Sequence, residues 1–209
     1  MSIFDIDSIA FQVFGYPFSF VEIIGTFFGL ISVLLATRTN ILTWPTGIIN
    51  EIFLFLLFYQ VQLYADMFLQ VYFLAVTLYG WYWWNSNSKM NRISELDTKI
   101  GFTLIGLIIF ASVLTGYFIS NLHLYFPQYF RIQAAYPFVD SLIMVSSVIA
   151  TFLLAMKKIE NWYLWIMIDF ICTLLYFKKE VYILSLEYLI FLGLASYGLY
   201  YWKKELQND

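Results

Sequence analysis

Seven long apolar runs decide what this chain can become. They lie near residues 18–37, 44–62, 66–84, 100–120, 138–156, 162–178 and 182–202. At 1.5 Å per residue, about twenty apolar residues cover the hydrocarbon thickness of a bilayer. Inside lipid every backbone N–H and C=O must be paired within its own segment, so each run reads as a helix. Charged residues make up only 12% of the chain, against about 25% in a soluble domain. The expected class is all-α integral membrane, with seven spans.

Residues 1–17 carry Asp5 and Asp7 and no Lys or Arg. They lack the basic start of a signal peptide and read as a short interfacial helix. Orientation follows from the basic residues. With the N-terminus outside, Arg38, Lys89, Arg92, Lys99, Lys157, Lys158, Lys203 and Lys204 lie inside, and Arg131, Lys178 and Lys179 lie outside. Eight against three favours an N-out, C-in chain in a cytoplasmic membrane. A net charge of −3 builds no nucleic-acid surface. A single cysteine, Cys172, excludes an internal disulfide and any cysteine metal cluster, and a single histidine, His123, leaves little for metal or triad chemistry. Neither a metal nor a cofactor is expected. Cys172 reads as a small buried apolar residue and His123 as part of the outer loop after the fourth span.

The chain resembles itself. Tyr16-Pro17-Phe18 and Tyr136-Pro137-Phe138 stand at the start of the first and fifth spans, and Leu34-Leu35-Ala36 and Leu153-Leu154-Ala155 close them. At a constant offset of 118, Trp44 falls on Trp162, Glu51 on Asp169, Phe58 on Tyr176, Gly80 on Gly198 and Trp84 on Trp202. The reading is a 3+1+3 parallel repeat: 18–84 as the first three-helix unit, 85–137 as loop, linker helix and outer loop, and 138–204 as the second unit. A single linker span leaves both units pointing the same way, the plan of SWEET-type proteins.

Polar and aromatic residues form stripes on these helices. Positions seven and eleven apart nearly superpose on a helix. Trp44, Glu51, Phe55, Phe58 and Gln62 share one stripe; Asp66, Gln70, Thr77, Trp81 and Trp84 share another; Trp162, Trp165, Asp169, Thr173 and Tyr176 share a third. A carboxylate facing lipid costs several kcal/mol, so Glu51 and Asp169 are expected to face the bundle interior. One outcome is a central aromatic cavity with two acids, suited to a flat cation through cation–π attraction and charge pairing. The other is that these groups hydrogen-bond helix to helix; Asn50 fits either. The amides and hydroxyls of Asn50, Gln70, Thr77 and Thr173 are candidate partners for a polar ligand. For Trp83 and Trp202 a place in the interfacial aromatic belt is expected. Asp66 and Asp140 read as caps or solvated groups, and Glu187 as a residue of an outer vestibule.

At Trp44-Pro45-Thr46-Gly47, Leu63-Tyr64-Ala65-Asp66, Tyr79-Gly80-Trp81-Tyr82-Trp83-Trp84 and Asn161-Trp162-Tyr163-Leu164-Trp165 the sequence resembles the PnuC family of bacterial vitamin transporters. The resemblance runs from about residue 18 to 204. It implies a seven-helix SWEET-like fold, a homotrimer, and facilitated diffusion of an unphosphorylated B-vitamin that a cytosolic kinase then traps. Nicotinamide riboside is the first expectation, thiamine the second and riboflavin the third. The family's aromatic and amide motifs carry over to Trp81, Trp84, Asn161 and Trp165. An intramembrane enzyme is disfavoured, because the spans carry no metal motif and no Ser/His pair. A retinal-type photoreceptor would need a lysine in mid-span. No G-x-x-x-x-G-K-[ST] loop is present to bind ATP.

Overall fold

The computed structural model describes residues 3–13, 15–60, 64–86, 92–128 and 133–208, the side chains of 13 and 64–66 excepted. The expectations placed on Gln62, the Asp66 side chain, Lys89 and Arg131 fall outside these residues. Among the described residues the chain is mostly helical: α1 Phe20–Thr37, α2 Thr43–Gln60, α3 Tyr64–Asn85, α4 Thr98–Ser120, the single turn α5 Leu122–Tyr125, α6 Pro137–Ala155, α7 Glu160–Lys178 and α8 Tyr182–Asn208. Four of them, α1, α4, α6 and α8, are long and apolar enough to cross a membrane. The other three long helices, α2, α3 and α7, are less apolar because they carry most of the buried Trp, amide and carboxyl groups.

The first segment departs from expectation. Residues 1–17 were expected to hold an interfacial helix, yet Ile9–Val13 (β1) and Tyr16–Ser19 (β2) pair antiparallel. The physical reason is local. Gly15 takes the left-handed backbone at φ 84°, which a tight turn needs and a helix cannot use. The strand residues Ile9, Phe11, Tyr16 and Phe18 prefer a pleated surface, and the Phe11 and Phe18 rings meet at 5.5 Å. Tyr16-Pro17-Phe18 therefore precedes its helix, whereas Pro137 sits at the first helical position of α6.

Ser19 then caps α1 through a reciprocal box: Glu22 N–H donates to Ser19 Oγ at 3.2 Å, and Ser19 N–H donates to Glu22 Oε2 at 2.8 Å. The Tyr16 hydroxyl donates to the other Glu22 oxygen at 2.7 Å. That bond to a carboxylate pushes the Tyr16 phenol up to about 12. The preceding residues are tied to α2 by the Phe4–Phe53 ring contact at 5.7 Å and by an amide. Gln60 donates to the Phe4 carbonyl at 2.8 Å and accepts from Ile6 N–H at 2.8 Å. Gln60→Ala is expected to release this segment, raising amide exchange at residues 4–6 about tenfold, since two hydrogen bonds are lost. Unchanged exchange at Ile6 would show that the clamp holds nothing.

The helices pack in a ring. α1 touches α2, α2 touches α3, α3 touches α6, α6 touches α7, α7 touches α8, and α8 returns to α1; α4 lies outside, against α6. Small residues set the closest approaches. A Cβ on Gly80 would come within 2.6 Å of Trp44 Cζ2, and one on Gly198 within 2.7 Å of Trp162 Cε2.

One end of the ring is closed by tryptophan. The Trp44 and Trp84 rings meet edge-on at 5.0 Å, those of Trp162 and Trp202 at 5.5 Å, and Trp84 lies 6.3 Å from Trp202. Trp202 is 0% exposed. Its expected place in the interfacial belt is therefore corrected: it is core, because the Gly198 face of α8 lets Trp162 seat against it. Trp83 is half-buried against the same cluster. Cys172 is buried against Ala150 and Ile168, and His123 lies in α5, after α4.

Candidate functional site

The ring encloses a cavity of about 320 Å³, at the small end for ligand pockets. Its lining comes from α1, α2, α3, α6, α7 and α8; α4 gives none among the described residues. The central acids stand on facing helices. Glu51 is 7% exposed and accepts a hydrogen bond from the Thr77 hydroxyl, while its second oxygen has no partner. Asp169, on α7, is 4% exposed and lines the same space. Among the described residues that line the cavity there is no Lys, Arg or His. Two buried carboxyls without a basic neighbour leave an electrostatic deficit that a cation would fill.

The walls are paired in register. Trp44 and Trp162 close the tryptophan end, and their indole nitrogens have no acceptor. Phe73 and Phe191 face in from α3 and α8, and Gln70 matches Tyr188. The pairing fails where it changes the chemistry. Trp165 answers to Gly47, and Ala195 answers to Thr77. One wall, around Glu51, Thr77 and Gln70, sets a hydroxyl and an amide beside its acid; the opposite wall sets the Trp165 and Tyr188 rings beside Asp169 and Glu187. A flat cation can stack on the aromatic side while its polar substituents bond to the other.

The profile of the nicotinamide mononucleotide transporter family matches residues 19–204. The chain belongs to this family, the PnuC transporters. It is 32% identical to the nicotinamide riboside transporter PnuC of Escherichia coli K12, across 90% of this chain and 87% of that protein. It is 25% identical to the riboflavin/roseoflavin transporter RibM of Streptomyces davaonensis, across 98% of this chain and 94% of that one. The crystal structure of a vitamin B3 transporter PnuC shares the fold, with a TM-score of 0.68 over 90% of this chain and 82% of the other at 19% identity. The chain is thus a multi-pass membrane transporter and not an enzyme.

Within this PnuC fold the predicted site residues divide. Trp44, Asn50, Glu51, Gln70, Thr77, Trp165 and Asp169 all line the cavity. Asn50 also serves packing: its amide donates to the Gly25 carbonyl of α1 at 2.8 Å. Phe58, Trp81, Trp84, Asn161, Thr173 and Tyr176 do not line it. Trp81 is 38% exposed. Trp84 lies behind Trp44 and donates to the Ala155 carbonyl at 3.0 Å. Asn161 is fully buried and donates to the Lys158 carbonyl at 2.6 Å, tying down the start of α7. Thr173 turns its hydroxyl back to the Asp169 carbonyl at 2.7 Å. Tyr176 stacks on Tyr188 at 5.4 Å, one layer behind the wall. Phe58 lies two turns beyond Glu51, past the lining of α2.

Glu187, expected in an outer vestibule, lines the cavity itself, as does Thr26. Sequence reasoning passed over Thr26, Ser32 and Tyr188 as site residues. Ser32 locks α1 to α2 by a reciprocal pair with Thr43: each hydroxyl donates to the other's carbonyl at 2.8 Å. Thr26 does stand eleven positions from Thr37 on α1, but neither adds an acid or a ring to mark the face, and the apolar runs of α1 and α8 hide Ser32 and Tyr188.

Proposed function

We propose that this chain carries nicotinamide riboside across a bacterial cytoplasmic membrane by facilitated diffusion, with a cytosolic kinase trapping the product by phosphorylation. The carrying observation is the aromatic cavity with Glu51 and Asp169 at matched positions and no basic residue in its described lining. Nicotinamide riboside is a flat cation with a carboxamide and ribose hydroxyls. The acids offset its charge, Trp165 offers a stacking face, and Thr77 and Gln70 offer hydrogen bonds. The relative from Escherichia coli supports this vitamin by its name. Thiamine, also a cation with a flat aromatic ring, is the second reading, and its aminopyrimidine could pair with Glu51. Riboflavin is neutral and larger, and it gains little from two carboxylates, although the Streptomyces relative is named for it.

In this reading the chain crosses the bilayer seven times, N-terminus out and C-terminus in, as two like-oriented units, α1–α3 and α6–α8, with α4 as the linker and homotrimers as the assembled form. Several matched details support the two units. Thr39 and Lys157, 118 apart, both take left-handed backbone, at φ 50° and 52°, to end α1 and α6. The C-terminal ends of α1, α3, α6 and α8 and the starts of α2 and α7 all meet at the tryptophan end.

Calorimetric titration of the purified protein with each vitamin tests the substrate. Nicotinamide riboside is expected to bind at least tenfold more tightly than thiamine, about 1.4 kcal/mol, and riboflavin more weakly still. Thiamine binding tenfold tighter would hand the assignment to the second reading. Counterflow in sealed vesicles without ion gradients is expected to proceed; a requirement for a proton or sodium gradient would end the uniport reading.

A further inference from the structure

A transporter of this kind must open its cavity to one face at a time, and the tryptophan end is shut. Two hydrogen bonds cross between the three-helix units there. Trp84 Nε1, near the end of α3, donates to the Ala155 carbonyl at 3.0 Å, and Trp202 Nε1, on α8, donates to the Ala36 carbonyl at 3.2 Å. Trp84 and Trp202 are 118 apart, and their acceptors 119 apart. The two bonds are the same bond made twice, once in each direction across the unit boundary. Each acceptor lies in the last turn of its helix, where carbonyls lack intrahelical partners, although the Ala36 carbonyl also accepts from Thr39 N–H just beyond α1 at 3.0 Å. Both acceptor residues are alanines and fully or almost fully buried, so a bulky indole can come close. Trp84 and Trp202 do not line the cavity; they stand behind Trp44 and Trp162, which do.

We propose that Trp84 and Trp202 are a paired gate latch, holding the tryptophan end closed by reaching across to the helix ends of the opposite unit. The assignment rests on the two-unit reading above but not on which vitamin is carried. Rocking one unit against the other must break both bonds together with the Trp84–Trp202 contact, while Trp44–Trp84 and Trp162–Trp202 stay within their own units. Both indole N–H groups and both carbonyls are buried while this end is closed, and water replaces each lost partner only as the two units part. The latch is therefore reversible, because exchanging such a bond for water shifts an equilibrium by only roughly fivefold.

The test removes the N–H and keeps a ring. In a Cys172→Ser background, Ala195→Cys places one thiol on the cavity wall near the tryptophan end. Its labelling by a membrane-impermeant maleimide is followed from each face of sealed vesicles, with a C-terminal tag reporting which face is outward. From the tryptophan face, Trp84→Phe or Trp202→Phe is expected to raise labelling about fivefold, and the double variant about 25-fold, because independent bonds multiply. From the opposite face the rate is expected to stay level or fall. Unchanged labelling from the tryptophan face would overturn the latch. So would an equal rise from both faces, which marks general loosening. If the double variant does not fold, either single variant decides by the same two readings. No vitamin enters the assay, so its failure is separable from a wrong substrate.

Discussion

Glu51→Gln and Asp169→Asn are each expected to weaken nicotinamide riboside by about 10- to 100-fold. The neutral 1,4-dihydro form of the same nucleoside should change by no more than about threefold. Opposite charges about 4 Å apart attract by about 4 kcal/mol at an effective dielectric constant near 20. Desolvation of the ion takes back part of that, leaving about 1.4–2.8 kcal/mol for a charge-assisted contact. Both replacements keep the shape of the side chain. In Glu51→Gln the new amide oxygen could still accept from Thr77, so the link between α2 and α3 that Glu51 makes there should survive. Parallel titrations of the two ligands check this. Equal losses for both would mean that the acids hold helices together and do not read charge.

The second large effect is on stability. Gly80→Ala and Gly198→Ala each place a methyl group inside the van der Waals envelope of an indole, at 2.6 Å from Trp44 Cζ2 and 2.7 Å from Trp162 Cε2. Neither ring has room to retreat: Trp44 is held edge-on by Trp84 and Trp162 by Trp202, and all four are buried. Overpacking of this kind costs about 1–3 kcal/mol, and a lower thermal midpoint should show it in detergent. Gly101→Ala serves as the control, since a methyl there meets nothing within 4 Å. If Gly80→Ala and Gly101→Ala melt alike, the close contact is not what holds Trp44 in place.

The long helices were legible because lipid leaves the sequence little freedom: twenty apolar residues in a row have one good backbone solution. The 118-residue offset was legible for a related reason, since Trp44 against Trp162 and Gly80 against Gly198 record one packing contact made twice. The site was half legible. Seven-residue spacing places Trp44, Glu51, Gln70, Thr77, Trp165 and Asp169 on inward stripes, and all of them reach the cavity. A stripe, however, runs the length of a helix, whereas the cavity occupies only part of it. Periodicity therefore also collected Phe58, Tyr176 and Trp84, which lie above, behind and below the space. Thr173 shares the face of Asp169, yet its hydroxyl prefers the carbonyl one turn back. At Trp202 the sequence shows only a tryptophan near a span end, and the pattern for a belt and for a buried plug is the same. In the first residues one glycine at positive φ outweighs the expectation of an interfacial helix.

Of the seven tryptophans in the chain, Trp44, Trp84, Trp162 and Trp202 form one cluster with ring centres 5.0–6.3 Å apart at each contact. Rings this close exchange excitation far faster than they emit. Light absorbed by any of the four is shared, and a change at one indole alters the emission of all. The cluster floors the cavity on one side and bars the exit on the other. Tryptophan emission of the unmodified protein is therefore expected to respond both to cavity occupancy and to the closing of that end, with Trp81, Trp83 and Trp165 adding to the same signal.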